Sequence, residues 1–222
     1  MTFRLEEPGP EVASTMGRWL REYIGSPHPD LGRDGPVCPF VLPALKAGGL
    51  KVLEHRWSGG HDPARMAALI HTLVDRFHER PDGPVRSELN ALAVVVTGLP
   101  RTRWPLIDAG HRRAKHEVVA RGYMVGQFHP ECREPAVHNP FFAVNTAPYP
   151  LLAVRRMAVH DILFLHQDPL WFEEYRKLFG HRFAGAGRVN EHLRALYERT
   201  CRRYRRIEPG ARPELEPSWK SS

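Results

Sequence analysis

The chain has 222 residues, 42% of them hydrophobic and 26% charged, and a formal net charge of +7. That length and usage fit a globular protein that buries its core without disulfide staples. Three scattered cysteines, Cys38, Cys132 and Cys201, exclude a disulfide framework or a CxxC zinc site and suit a reducing cytoplasm. The N-terminal segment lacks the apolar core of a signal peptide, and no stretch of 18 apolar residues offers a membrane span.

Residues 10–25 read as a first helix, with Met16, Trp19, Leu20 and Tyr23 at helical spacing. A Pro/Gly-rich loop follows to Phe40, and "VLPALKAGG" reads as a short helix closed by glycine. "LKVLEHRW" alternates apolar and polar and reads as a strand. In "DPARMAALIHTLVDRFHER", Asp62 caps a helix and Pro63 suits its first turn. Met66, Leu69, Ile70, Leu73, Val74 and Phe77 give that helix one buried stripe. "ELNALAVVVTGL" reads as a buried strand, "WPLIDAGHRRAKHEVVARG" as a helix, and "YMVGQFH" as a strand. A proline-rich loop leads to a fourth strand, "PLLAVRRM". Three helical stretches end the chain, the second capped by Asp168 and the third striped by Val189, Leu193, Leu196, Tyr197 and Tyr204. The expected architecture is α+β, a single domain over residues 1–208, with a sheet of about four strands packed by amphipathic helices. Residues 209–222 are expected to be a disordered tail.

Most familiar catalytic signatures are absent: there is no GxSxG, GxxxxGK[ST] or HExxH, and no GxGxxG after a strand. The segment "GQFHPECREPAVHNPFF", Gly126 to Phe142, is the richest in chemistry. His129 closes a strand, and Pro130 biases it to extended geometry. An imidazole fixed there suits an axial ligand or a general base. His138 is a second candidate metal ligand. Cys132 reads as a passive loop thiol, because no base is assigned to it, and Cys38 as a buried structural thiol. Arg155 and Arg156 fall on opposite faces of a strand, so one points to a packed side or a cleft. A buried arginine there needs an anionic partner, such as a substrate carboxylate, a haem propionate or a glutamate. Arginines crowd the last helix, in "RTCRRYRRIEPGARP", and read first as a solvated face.

Several segments together carry a family resemblance. "CPF" at Cys38–Phe40, Gly126-Gln127-Phe128-His129-Pro130, Asn139-Pro140, Leu152–Met157, and Asp161 with Phe164-Leu165 resemble a small actinobacterial family of unknown function. More distantly, "CPF", the strand "LAVVVTGLP" and "FFAVNTAPYPLLAVRRM" are similar to the YqcI/YcgG-type proteins, some of which look like haem proteins that oxidise amino-acid nitrogen. The resemblance covers roughly residues 35–180. It implies haem as cofactor and a small amino-acid-like substrate in specialised metabolism. This chain has "FHPECREP" where the larger family has its own segment, so no haem ligand transfers by position.

Three readings follow. The first is a haem-dependent oxidoreductase with His129 as proximal ligand, Phe128 as apolar shield, and Arg155 or Arg156 on a propionate. The second is a non-enzymatic binding protein using the basic last helix. The third is a histidine-ligated metal hydrolase, with His129 and His138 as ligands and no catalytic residue assigned. A small-molecule substrate is the expected partner, with neither membrane nor nucleic acid; a homodimer is compatible with the sequence.

Overall fold

The computed structural model describes residues 3–79, 85–185 and 189–205. They form an α+β fold whose contacts divide the chain into two compact units, Met1–Ala158 and Val159–Ser222.

The first unit is built on a four-stranded mixed sheet. Helix α1 (Pro10–Trp19) runs into a π-helical turn at Leu20–Ile24, and α2 (Val41–Lys46) is short. Strand β1 (Leu50–Arg56) is followed by α3 (Pro63–His78), β2 (Ala91–Thr97), α4 (Pro105–Ala120) and β3 (Tyr123–Phe128). The proline-rich loop expected next holds a two-stranded ribbon, β4 (Pro135–Ala136) and β5 (Asn139–Ala143), before β6 (Leu151–Arg156). A two-residue strand beside a proline gives too little alternation for sequence patterning to register.

The sheet order is β1-β2-β6-β3. β1 and β2 are parallel, while β6 is antiparallel to both β2 and β3. β1, β2 and β3 therefore point the same way, and their carboxyl ends share one end of the sheet. Residues on β2 alternate strictly between two cores. Leu92, Val94 and Val96 pack with α3 and α4 residues such as Leu69, Ile70, Leu73 and Leu106. Val95 packs with Met16 of α1, beside Leu151 and Ala147. Leu20 and Ile24 of the π turn form a third cluster with Val41 of α2. A strand buried on both faces explains the unbroken apolar run "ALAVVV".

Asp62 caps α3 as its sequence predicts, its Oδ1 accepting from the amides of Ala64 and Arg65 at 2.9 and 3.2 Å. The stripe from Met66 to Phe77 is buried throughout. Helices α3 and α4 touch backbone to side chain: a Cβ at Gly110 would lie 2.3 Å from Met66 Cγ. Only glycine permits that approach.

The second unit contains α5 (Ile162–Leu165), α6 (Pro169–Phe179) and α7 (Glu191–Arg205). Asp168 caps α6, accepting from the amides of Leu170 and Trp171. Aromatic rings join α6 to α7: Phe172 lies 5.6 Å from Tyr197 and 5.9 Å from Tyr204, and Phe183 stacks on Tyr197 at 4.1 Å. Leu193 is buried, while Val189 precedes the helix rather than joining its stripe. The tail expected at 209–222 lies outside the described residues, as does part of the arginine run.

Leu73 has no exposed surface and sits mid-stripe. Leu73→Ala is expected to destabilise the protein by roughly 2–5 kcal/mol, read from the urea midpoint at unchanged slope. A change within about 0.5 kcal/mol would show that the stripe contributes little to the core.

Candidate metal centre

Strand β3 delivers His129. Tyr123, Val125, Gln127 and His129 share the face that meets α4, and Met124, Gly126 and Phe128 take the other. Directly after the strand, the Cys132 amide donates to the His129 carbonyl at 3.0 Å. This i→i+3 bond closes a turn with Pro130 and Glu131 at its centre, and proline favours the first central position. The turn brings Cys132 back beside His129. Thr146 bridges His129 on the other side, and the Ala147 amide donates to its carbonyl at 3.4 Å.

Asp108 comes from the first turn of α4. His129 Nε2 lies 2.9 Å from Asp108 Oδ2, and the Cys132 thiol donates to Asp108 Oδ1 over 3.9 Å. The Glu131 amide donates to His129 Nδ1 at 3.2 Å. The partners thus assign the ring proton to Nε2, donating to the carboxylate. Burial lowers the basicity of His129, but the hydrogen bond to Asp108 and the nearby Cys132 outweigh it and hold the ring above the ordinary histidine value. The Glu131 amide opposes a second ring proton, since two donors would then face each other.

One donor atom from each of Asp108, His129 and Cys132 falls within 4.8 Å of the others, so the three could hold a metal ion. The His129 side chain is 3% exposed and that of Asp108 25%, so the cluster opens to solvent on the aspartate side. A cysteine–histidine–acid relay would place thiol and carboxylate on opposite ring nitrogens. Here the thiol and the Nε2–H both address one carboxylate, and a backbone amide closes Nδ1. The three groups converge on a point and form no relay. Trp104, which opens α4, stands 6.3 Å from the imidazole centroid.

The other expected site residues lie apart. Phe128 faces the opposite side of the sheet and meets Trp19 edge-on at 5.6 Å. Arg156 pairs with Tyr123, at the far end of β3 from His129, and lies over the Tyr123 ring at 6.0 Å. Arg155 lies over Phe40 at 4.9 Å. The two arginines do project to opposite faces, yet roughly 17–20 Å of strand separates them from His129. His138 sits in the exposed turn between β4 and β5 and does not join the cluster. Haem fits less well than a simple ion in this arrangement, because neither arginine is near His129 for a propionate. Sequence reasoning missed Asp108 and set Cys132 aside. "HPEC" carried a signal, because proline after histidine makes a turn that pairs the first and fourth side chains. Asp108 reads from sequence as an ordinary acid at a helix N-terminus.

Fold and site together define an α+β protein with a candidate mononuclear metal centre at the carboxyl end of its parallel strands. Residues 13–190 match the family DUF6875, a domain of unknown function, and the chain belongs to that family. No curated protein and no solved structure matches it. No helix among the described residues is long and apolar enough to cross a membrane.

His111, one turn after Asp108, is 7% exposed, and its Nε2 lies 3.1 Å from the Val125 carbonyl. Burial first, then Lys115, pushes its pKa down to about 4. Between about 6.5 and 4 the unfolded chain therefore binds a proton that the folded chain refuses. Stability is expected to fall on acidification through that window, by about 3 kcal/mol from this group. His111→Gln should flatten that limb of a urea-midpoint profile against pH; an unchanged limb would assign it to other groups.

Proposed function

We propose that the protein is a metal-dependent enzyme, with one divalent cation held by Asp108, His129 and Cys132 and a small-molecule substrate bound on its open side. The convergence of three buried or half-buried donor atoms carries the reading. Zinc bonds of about 2.0–2.3 Å in tetrahedral geometry put donor atoms roughly 3.3–3.8 Å apart. An inward movement of about 1 Å would bring this set to that spacing. Three protein donors leave a fourth position for water, as in catalytic zinc sites, whereas structural sites are closed by four. A thiolate in the set favours zinc or iron(II) over magnesium or calcium. Such an ion supplies Lewis acidity and a water acidified towards neutrality, so hydrolysis is the reaction class we assign. The chain's own part is to fix the donors. Ligation through Nε2 moves the remaining ring proton to Nδ1, so the Glu131 amide has to turn away from it, while the Pro130 turn holds Cys132 and helix α4 presents Asp108.

Haem follows instead from the resemblance to YqcI/YcgG-type proteins, and one preparation separates the two readings. The purified protein is expected to carry about one zinc or iron per chain by elemental analysis. Each of Asp108→Ala, His129→Ala and Cys132→Ser should weaken metal binding at least about tenfold. Cobalt(II) should give a thiolate-to-cobalt charge-transfer band in the wild type that Cys132→Ser lacks. Failure of the intact protein to take up zinc, iron or cobalt would end the proposal, and a Soret band lost in His129→Ala would favour haem.

A further inference from the structure

Among the described residues one buried side-chain polar atom has no hydrogen-bond partner: Arg65 Nε. Natural proteins rarely tolerate a sealed, unpaired donor, and such atoms call for an explanation. Arg65 makes no ion pair or side-chain hydrogen bond among the described residues. The helix end is not the reason, because Asp62 already closes it. Arg65 packs against Gly59, in the loop Trp57-Ser58-Gly59-Gly60-His61 between β1 and α3. A Cβ at Gly59 would come within 2.6 Å of Arg65 Cδ and 2.4 Å of Trp57 Cζ2, so the bare glycine backbone is pressed against the arginine stem. Gly60 has φ +65°, which a glycine adopts freely. The amides of Ser58, Gly59, Gly60 and His61 donate to no acceptor among the described residues. Loop and arginine lie at the carboxyl end of β1, beside that of β2: the Trp57 amide donates to the Thr97 carbonyl at 2.8 Å. The metal-ligand cluster lies at this same end of the sheet. In open α/β sheets, ligands settle outside the carboxyl ends of the strands.

We propose that Arg65 and the Ser58–His61 loop form an oxyanion-binding site that takes a phosphate or carboxylate group. The guanidinium supplies a planar fork of donors matched to two oxygens. The loop amides add further donors around the same charge. The glycine pair lets the loop shift from the arginine stem, so that Nε gains an acceptor when the anion enters. Only the role of this site as the substrate's anionic anchor rests on the metal-centre reading; the anion site itself stands alone.

The test titrates the full chain, metal-loaded and after chelation, with inorganic phosphate and, separately, acetate, by calorimetry. Saturable binding of at least one is expected in both forms, weakened at least tenfold in Arg65→Met with unchanged metal content. Arg65→Lys should fall between, since a point charge replaces a fork. Arg65→Met should also raise the thermal midpoint, because it removes a sealed unpaired donor. Preference for phosphate or for acetate would assign the class of anion. No saturable binding by the wild type, or equal binding by Arg65→Met, would overturn the inference. Anion binding by a wild-type chain that takes up no zinc, iron or cobalt would uphold this site and reject the metal-centre reading.

Discussion

Burial of the sheet on both faces is the constraint from which the rest follows. The middle of β2 has no surface of its own, since Leu92, Val94 and Val96 serve one core and Val95 the other. With both faces closed by helices, polar chemistry has few places to go. The carboxyl end, where β1, β2 and β3 finish together and α3 and α4 begin, is the place that receives it. Asp108, His129 and Cys132 stand there, and so does Arg65.

The chemistry of the cluster is decided by direction more than by identity. Histidine, cysteine and aspartate can be assembled as a nucleophile with its base, or as a cage for an ion. A relay needs the imidazole between its partners, with one nitrogen for each. In this protein the carboxylate is the common target, and the spare ring nitrogen is spent on a backbone amide. An ion in place of the two hydrogens pointed at Asp108 would leave the ring proton on Nδ1, and the Glu131 amide would have to give way to it.

Much of the fold was legible because its elements are long and periodic. The six-residue stripe of α3 and the apolar run of β2 each have a single physical interpretation. The ribbon β4–β5 was not legible, since it is too short to show alternation. At the site, His129 was readable because a strand end and a proline fix its direction. Asp108 was not: it lies 21 residues earlier, and only the return of the chain through α4 and β3 brings it into contact. Arg155 and Arg156 illustrate the opposite limit. Their opposite faces were readable from strand alternation, but which end of the sheet they occupy depends on β6 running antiparallel to β3.

The Pro130 turn has a mechanical consequence. His129 and Cys132 are neighbours through one tight turn, so fixing them together restricts little chain. Asp108 belongs to another element, and an ion shared among the three would tie the edge strand β3 to α4 across the intervening residues. Closing such a loop removes freedom from the unfolded chain. The cation would then act as a clasp as well as a reagent, and the state of the centre would be felt in how firmly the edge of the sheet is held.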